Sequence, residues 1–161
     1  MISSSNGVWV VILSLFAALI LHALPLPFDW RWYRPELPLL VLFYWILALP
    51  HRVGIFSAAM TGFAVDLLEG NPAGGLAVGA VASALVILLT YQRVRQFNLV
   101  QQSAIMGVLV ALALLVESWL HQLLGLPVPS YRFWLAAAVA IPMWPIVRKL
   151  LRGVRRYFEV I

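Results

Sequence analysis

The sequence predicts an all-α integral membrane protein, a bundle of six transmembrane helices. Of its 161 residues, 63% are hydrophobic and 11% are charged, whereas a typical soluble domain has about 45–50% and about 25%. A water-soluble fold of this size cannot bury so much apolar surface, because its surface is too large for its volume. Six apolar runs recur along the chain: four are long enough to span a membrane, the third is marginal and the second is short. Tryptophans, tyrosines and arginines cluster at their borders, as is typical of membrane interfaces.

The six apolar runs are the predicted spans of a single polytopic domain. The second run has 13 residues, which at 1.5 Å per residue gives about 20 Å, less than a hydrocarbon core of about 30 Å. It is therefore either a helix buried among its neighbours or a re-entrant segment, since such backbone must be shielded from lipid. The last run contains Pro142 and Pro145, which predict a kink. The spans are 8–24, 37–49, 53–68, 73–91, 99–124 and 133–151, followed by a basic cytoplasmic tail at 152–161.

The distribution of arginine and lysine predicts the orientation. With six spans, eight basic residues fall on one side and three on the other, so the positive-inside rule places both termini in the cytoplasm. If the second run does not cross, the division is ten to one and the N-terminus lies outside. Both topologies place the C-terminus in the cytoplasm, and the charge count by itself leaves five and six spans open.

Composition and motifs argue against several classes of function. The net charge of +5 is spread between apolar segments, where it orients a membrane protein and does not indicate nucleic-acid binding. The chain has no cysteine, which excludes thiol catalysis and cysteine-ligated metals. No nucleophile–base arrangement is visible, and the glycine-rich turn at 70–75 lacks the lysine of a P-loop. We therefore expect no catalysis, no cofactor and no metal site.

Small residues at four-residue spacing predict which helices pack closely. Helices in lipid associate through such stripes, because small side chains let two backbones approach each other. The stripes predict contacts among the third, fourth and fifth segments. They are Gly54, Ala58 and Gly62 with Asp66 one step further, then Gly75, Gly79 and Ser83, then Ser103, Gly107 and Ala111.

A few ionisable residues lie inside or at the ends of the spans, where they are costly and usually face the interior. Asp66, Glu69, Glu117 and His121 are predicted to gather in the outer half of the bundle, together with His22 if the chain spans six times. Glu117 and His121 share one helix face, since they are four residues apart. A structural ion pair or solvation in the outer leaflet is the expected role of this pair. The alternatives are a proton relay or half of a metal site, which would need further ligands.

The last predicted helix carries a basic face beyond its prolines. Apolar residues at helical spacing lie opposite the basic ones, which is typical of an interfacial helix attracted to anionic lipid. The basic residues are Arg148, Lys149, Arg152, Arg155 and Arg156.

Two strings carry a family resemblance: RPELPLLVLFYWILALPHRVGI at 34–55 and, after Gly62, DLLEGNPAG at 66–74. The sequence resembles the rod shape-determining MreD proteins of Gram-negative bacteria over essentially its whole length. Glu69 and Pro142 depart from the family pattern. The positions that match it are Arg34, Pro35, Gly62, Asp66, Leu67, Gly70 and Gly74.

The resemblance implies a non-catalytic component of the cell-wall elongation complex in the bacterial inner membrane. Such a protein would maintain rod shape by binding MreC and helping to organise lateral peptidoglycan synthesis. It would act with the MreB filament, RodA and the elongation-specific penicillin-binding transpeptidase; self-association is left open. The family is similar to the substrate-binding subunits of energy-coupling-factor transporters, which favours six spans. The same similarity implies that the outer polar residues, Glu117 and His121 among them, line a pocket. A substrate-binding subunit for a small molecule or lipid-linked precursor is the alternative function, and a proton-coupled transporter is a weaker one.

Overall fold

The computed structural model describes residues 5–25, 27, 33–71, 74–128 and 132–160. These residues form an all-helical membrane protein, as predicted. Helices α4, α5 and α6 are long and apolar enough to cross a membrane, and α1 and α2 are shorter apolar helices. The elements are α1 (Ser5–Ala23), α2 (Leu37–Ala48), α3 (Ile55–Glu69), α4 (Gly75–Gln96), α5 (Leu99–Leu123) and α6 (Arg132–Tyr157).

Successive helices run in alternating directions between two ends of the bundle. At the end that we call the polar end, His22 near the end of α1 lies 3.0 Å from Glu69 at the end of α3. At the opposite end, which we call the arginine end, Arg95 of α4 donates hydrogen bonds to the carbonyls of Leu47 and Ala48 at the end of α2. Helix α2 therefore begins at the polar end and finishes at the arginine end.

Helix α2 is the centre of the bundle. Its ten residues from Pro38 to Leu47 are all buried, and α2 contacts each of the other five helices. A helix that is apolar on every side requires such burial. Its 12 residues give a length of about 18 Å, and the five helices around it cover it from Pro38 to Leu47. The interpretation of this run as a helix buried among its neighbours is confirmed.

Two of the small-residue stripes lie in the predicted contacts among α3, α4 and α5, through Gly62 and Gly79, whereas nothing lies within 4 Å of a Cβ added to Gly54. A Cβ atom added to Gly62 of α3 would lie 2.5 Å from the Cα of Ala77 in α4. A Cβ on Gly79 of α4 would collide with the Ala113 carbonyl of α5. Gly107 departs from the prediction, because it faces α6: its added Cβ would lie 2.6 Å from Cγ1 of Ile141. At Gly62 and Gly79 the neighbouring atoms belong to the backbone, so no side chain can move aside there for a larger residue.

Helix α6 is longer than the run that predicts it. It continues through Pro142 and Pro145 and ends at Tyr157, so the first part of the predicted tail is helical. Between the prolines, Trp144 is buried and its indole N–H donates to the side-chain carbonyl of Gln102 in α5, at 3.4 Å. Trp144 therefore fixes which face of α6 points into the bundle.

Candidate functional site

The motif residues between α3 and α4 build a helical hairpin. Asp66, near the end of α3, has 1% of its surface exposed. Its Oδ2 accepts hydrogen bonds from the backbone N–H groups of Leu76 (3.1 Å) and Ala77 (3.3 Å) in the first turn of α4. Helix N-termini carry unsatisfied donors, and the N-cap residue Gly74 has no side chain to accept them. Asp66 therefore caps α4 from the neighbouring helix.

Glycines complete this hairpin. Gly70 ends α3 with φ of 70°, and Gly74 precedes α4 with φ of 67°. Both lie in the left-handed region, where a side chain is strained. Leu67, which follows Asp66 in α3, is 66% exposed on the outer surface of the bundle. The motif of Gly62, Asp66, Gly70 and Gly74 is thus explained by how α3 and α4 pack.

The second motif element connects α1 with α2. The Arg34 guanidinium donates a hydrogen bond of 2.6 Å to the Leu24 carbonyl, just beyond the end of α1. Pro35 follows, and its carbonyl accepts from the N–H of Leu37 at the start of α2. Arg34 and Pro35 thereby position the entry into the buried helix, since they tie the connecting segment to both helices.

Buried polar side chains from three helices meet at the polar end. Besides its contact with His22, Glu69 accepts a hydrogen bond of 3.0 Å from the amide nitrogen of Asn71. The same nitrogen donates to Glu117 of α5 at 3.2 Å. Asn71 therefore bridges two carboxylates and stabilises their negative charge. The structure brings together Glu69, Glu117 and His22, and it adds Asn71, which the sequence pattern indicates only as part of a turn.

Glu36 is the second residue of this cluster that sequence reasoning misses. It is buried, and one ligand atom each from His22, Glu36 and Glu69 lie within 4.8 Å of one another. One imidazole nitrogen and two carboxylate oxygens form a mixed donor set that divalent cations such as Zn²⁺ accept. The expectation that the chain has no metal site stays a prediction. The sequence does carry one signal for Glu36, since its carboxylate directly precedes the apolar run that begins at Leu37.

Glu117 and His121 lie against the start of α4. A Cβ on Gly75 would be 3.3 Å from Glu117 Cγ and 3.4 Å from His121 Nε2, so this glycine makes room for both side chains. The His121 ring is buried, and neither ring nitrogen has a hydrogen-bond partner within the described ranges. His121 is therefore adjacent to the capped hairpin without taking part in its hydrogen bonds.

The basic residues of α6 divide into two groups. Arg148, Arg152 and Arg155 line a cavity at the arginine end, against the buried helix α2. Lys149 and Arg156, which are exposed as Arg152 is, do not line it. Of the five residues predicted to form one basic surface toward lipid, three therefore line this cavity and two do not. Their contact with lipid stays a prediction.

A large apolar cleft opens between α1 and α6, and α2 forms its floor. Its volume is about 960 Å³. Exposed side chains of α1 and α6 form its walls, among them Leu13 and Leu150. In a membrane protein, apolar walls of this kind suit lipid or a transmembrane helix of a partner, which associates by close packing.

Fold and site together define a helical membrane protein whose buried polar residues mostly serve to build the bundle. The family model of the rod shape-determining protein MreD matches residues 3–154. The rod shape-determining protein MreD of Haemophilus influenzae is 32% identical over 156 residues, covering 92% of each chain. No solved structure matches, so the similarity to transporter subunits stays a prediction.

The chain belongs to the MreD family of rod shape-determining membrane proteins. The resemblance carried by the strings at 34–55 and 66–74 is therefore confirmed over nearly the whole chain.

Proposed function

We propose that this protein is a non-catalytic scaffold of the cell-wall elongation complex, which maintains rod shape by binding MreC. Membership of the MreD family is the observation that carries the proposal. The motif positions of the hairpin support it, because they are used for packing and capping and not for chemistry. Through MreC the protein would act with MreB, RodA and the elongation-specific transpeptidase to organise lateral peptidoglycan synthesis.

The proposed topology has six crossings in the bacterial inner membrane, with both termini in the cytoplasm. The alternating helix directions support six crossings, since α2 joins opposite ends of the bundle. The start of α1 and the last described residue lie at the same end, because a Cβ on Gly7 would be 3.2 Å from Val160 Cγ1. The arginine end carries most of the basic residues, which favours the cytoplasmic side for it. A reporter enzyme that is active only outside the cytoplasm should be active when it is fused between α1 and α2. An inactive fusion there, together with activity of a reporter that works only in the cytoplasm, would contradict the topology.

We place the MreC contact in the cleft between α1 and α6. Helices in lipid associate by close packing, and this cleft offers exposed apolar walls on two helices with the rigid, buried α2 beneath them. A transmembrane helix of the partner would bury these walls and would contact α1, α2 and α6 at once.

Ala17→Trp tests this location, because Ala17 lines the cleft and an indole would obstruct it. Ala104→Trp is the matched control: Ala104 is exposed on α5 and lies outside the cleft lining. MreC should co-purify with wild-type protein and with the Ala104 variant, and should be lost from the Ala17 variant. If equal amounts of MreC co-purify with both variants, the contact lies elsewhere on the protein. If MreC does not co-purify with the wild-type protein either, MreC binding itself is contradicted.

Cell shape tests the wider function. Depletion of the protein in its rod-shaped host should give spherical cells, and the wild-type gene should restore rods. Ala104→Trp should restore them and Ala17→Trp should not. Cells that remain rod-shaped after depletion would contradict the proposed function.

A small-molecule or lipid-precursor binding function is a second candidate, favoured by His121. This buried imidazole has no hydrogen-bond partner for either nitrogen among the residues that the structure describes, and buried polar groups normally have one. Because Asp66 caps α4, its substitution would disturb the fold and is a poor probe. His121→Phe keeps the ring volume, so a small molecule retained by wild-type protein in native mass spectra and lost from this variant would support the candidate.

A further inference from the structure

A small cavity at the arginine end differs in character from the apolar cleft. Its volume is about 250 Å³, and it lies where α2, α4, α5 and α6 come together. The polar and aromatic groups of its wall are Tyr44, Gln102 and Trp144. Four arginines from two helices also line it, namely Arg95 of α4 with Arg148, Arg152 and Arg155 of α6.

The α6 arginines face this cavity because of their register. Positions 148, 152 and 155 follow Trp144 at spacings of four, four and three residues, so all four share one helix face. Trp144 is 1% exposed and fixes that face inward, toward Tyr44 of α2 at a ring-centroid distance of 6.4 Å. The Tyr44 hydroxyl in turn faces Arg155. The three guanidiniums are therefore directed toward the cavity, unlike the charges of Lys149 and Arg156.

The positive charge gathered here is not balanced by acidic side chains. No carboxylate among the described residues forms an ion pair with any of the four arginines. Arg95 is bound to the α2 carbonyls and Arg155 Nε to the Val160 carbonyl, which are neutral acceptors. Glu159, the acidic residue near this end, lines the apolar cleft and not this cavity.

The geometry points to a binding site for a phosphate group, supplied either by an anionic lipid headgroup or by a soluble phosphate ester. Guanidinium groups bind phosphate through paired, charge-assisted hydrogen bonds, and Arg148 and Arg152 are the main ligands. Sites for drug-sized molecules measure about 300–1,000 Å³, so this cavity suits a headgroup or a small ester. Anionic lipid is abundant beside the cytoplasmic ends of such helices.

Native mass spectrometry of the full-length protein, stripped of lipid in detergent, tests the site. The probes are dioleoyl phosphatidylglycerol, dioleoyl phosphatidylcholine and glycerol 3-phosphate. The double variant R148Q/R152Q removes two cavity arginines, and K149Q/R156Q removes two charges from the same helix outside the cavity. Wild-type protein should prefer phosphatidylglycerol; the first variant should weaken its binding about tenfold or more, and the control less than about twofold.

The outcomes distinguish the source of the phosphate. Glycerol 3-phosphate that displaces the lipid supports a soluble ester, whereas lipid binding that resists it supports a headgroup. Equal weakening in both double variants would mean diffuse attraction to the surface and would overturn the site. Binding of a polyglutamate peptide, with neither phosphate probe bound, would assign the cavity to an acidic protein segment and would also overturn it.

Two further measurements keep the test sharp. R148K/R152K preserves the charges, so it should bind phosphatidylglycerol more tightly than R148Q/R152Q, and a thermal melt should show both folded. Phosphate binding should be independent of MreC binding, because the cavity and the apolar cleft lie on different faces of α6. R148Q/R152Q should therefore still co-purify MreC.

Discussion

Asp66 is the residue whose substitution tests the architecture of the bundle most directly. Its carboxylate is buried and accepts the N–H groups of Leu76 and Ala77, the second and third residues of α4. Asp66→Ala leaves both donors without this acceptor, at about 1–3 kcal/mol each. Taking the middle of that range for each donor, we expect a loss of about 4 kcal/mol in the free energy of unfolding. Asp66→Asn keeps one acceptor oxygen but loses the charge, so we expect about half that loss.

The assay is unfolding of the purified protein in mixed micelles, followed by circular dichroism as the denaturing detergent is increased. Leu67→Ala is the neighbouring control, because Leu67 is largely exposed and an exposed substitution costs within about 0.5 kcal/mol. The expected order of stability is wild type and Leu67→Ala, then Asp66→Asn, then Asp66→Ala. If Asp66→Ala unfolds with wild-type stability, Asp66 does not cap α4 and the reasoning is refuted.

Three further predictions use the same assay. Gly62→Ala should cost about 1–3 kcal/mol, since its Cβ would overlap the backbone of α4 and force α3 away. Arg95→Gln should cost about 1–2 kcal/mol, because the carbonyls at the end of α2 lose a cationic donor. Trp45→Phe should cost about 1–2 kcal/mol, because it removes the 2.7 Å hydrogen bond from the Trp45 indole to the Ser14 hydroxyl.

Each of these variants has a matched control in the chain. Gly153→Ala should not destabilise, since nothing lies within 4 Å of its added Cβ. Arg93→Gln removes an exposed charge near the same end of α4, and Trp9→Phe alters a tryptophan that is 63% exposed. A variant that costs no more than its control would contradict the contact assigned to it.

The helices and several of their close contacts could be predicted from the sequence, because a lipid bilayer restricts which backbone and side-chain arrangements are stable. Backbone groups in a bilayer must be satisfied within each helix, so apolar runs reveal the elements. Close approach requires small residues, so the spacing of Gly62 and Gly79 indicates that α3, α4 and α5 pack together. Gly107 was expected in the same contacts and packs against α6, because spacing marks a close contact without naming its partner. The gathering of Glu69, Glu117 and His22 follows from placing charges that cannot face lipid.

The roles of several polar residues depend on contact partners that lie far away in the sequence, and no local sequence pattern predicts those partners. The sequence identifies Asp66 as an interior charge, and its role as a cap emerges only when α4 begins beside it. Glu36 and Asn71 belong to connecting segments, yet they join the polar cluster. The cluster takes shape only where α1, α3 and α5 meet, since its members are far apart in the chain.

By itself the sequence determined that this is a helical membrane protein of the MreD family, because composition and spacing are local properties that lipid constrains directly. Only the tertiary structure decided that the 12-residue α2 lies at the centre, and that three arginines of α6 line a cavity while Lys149 and Arg156 do not. Those outcomes depend on which helix faces which. A pattern of small and apolar residues permits several packings, and the sum of side-chain contacts selects one of them.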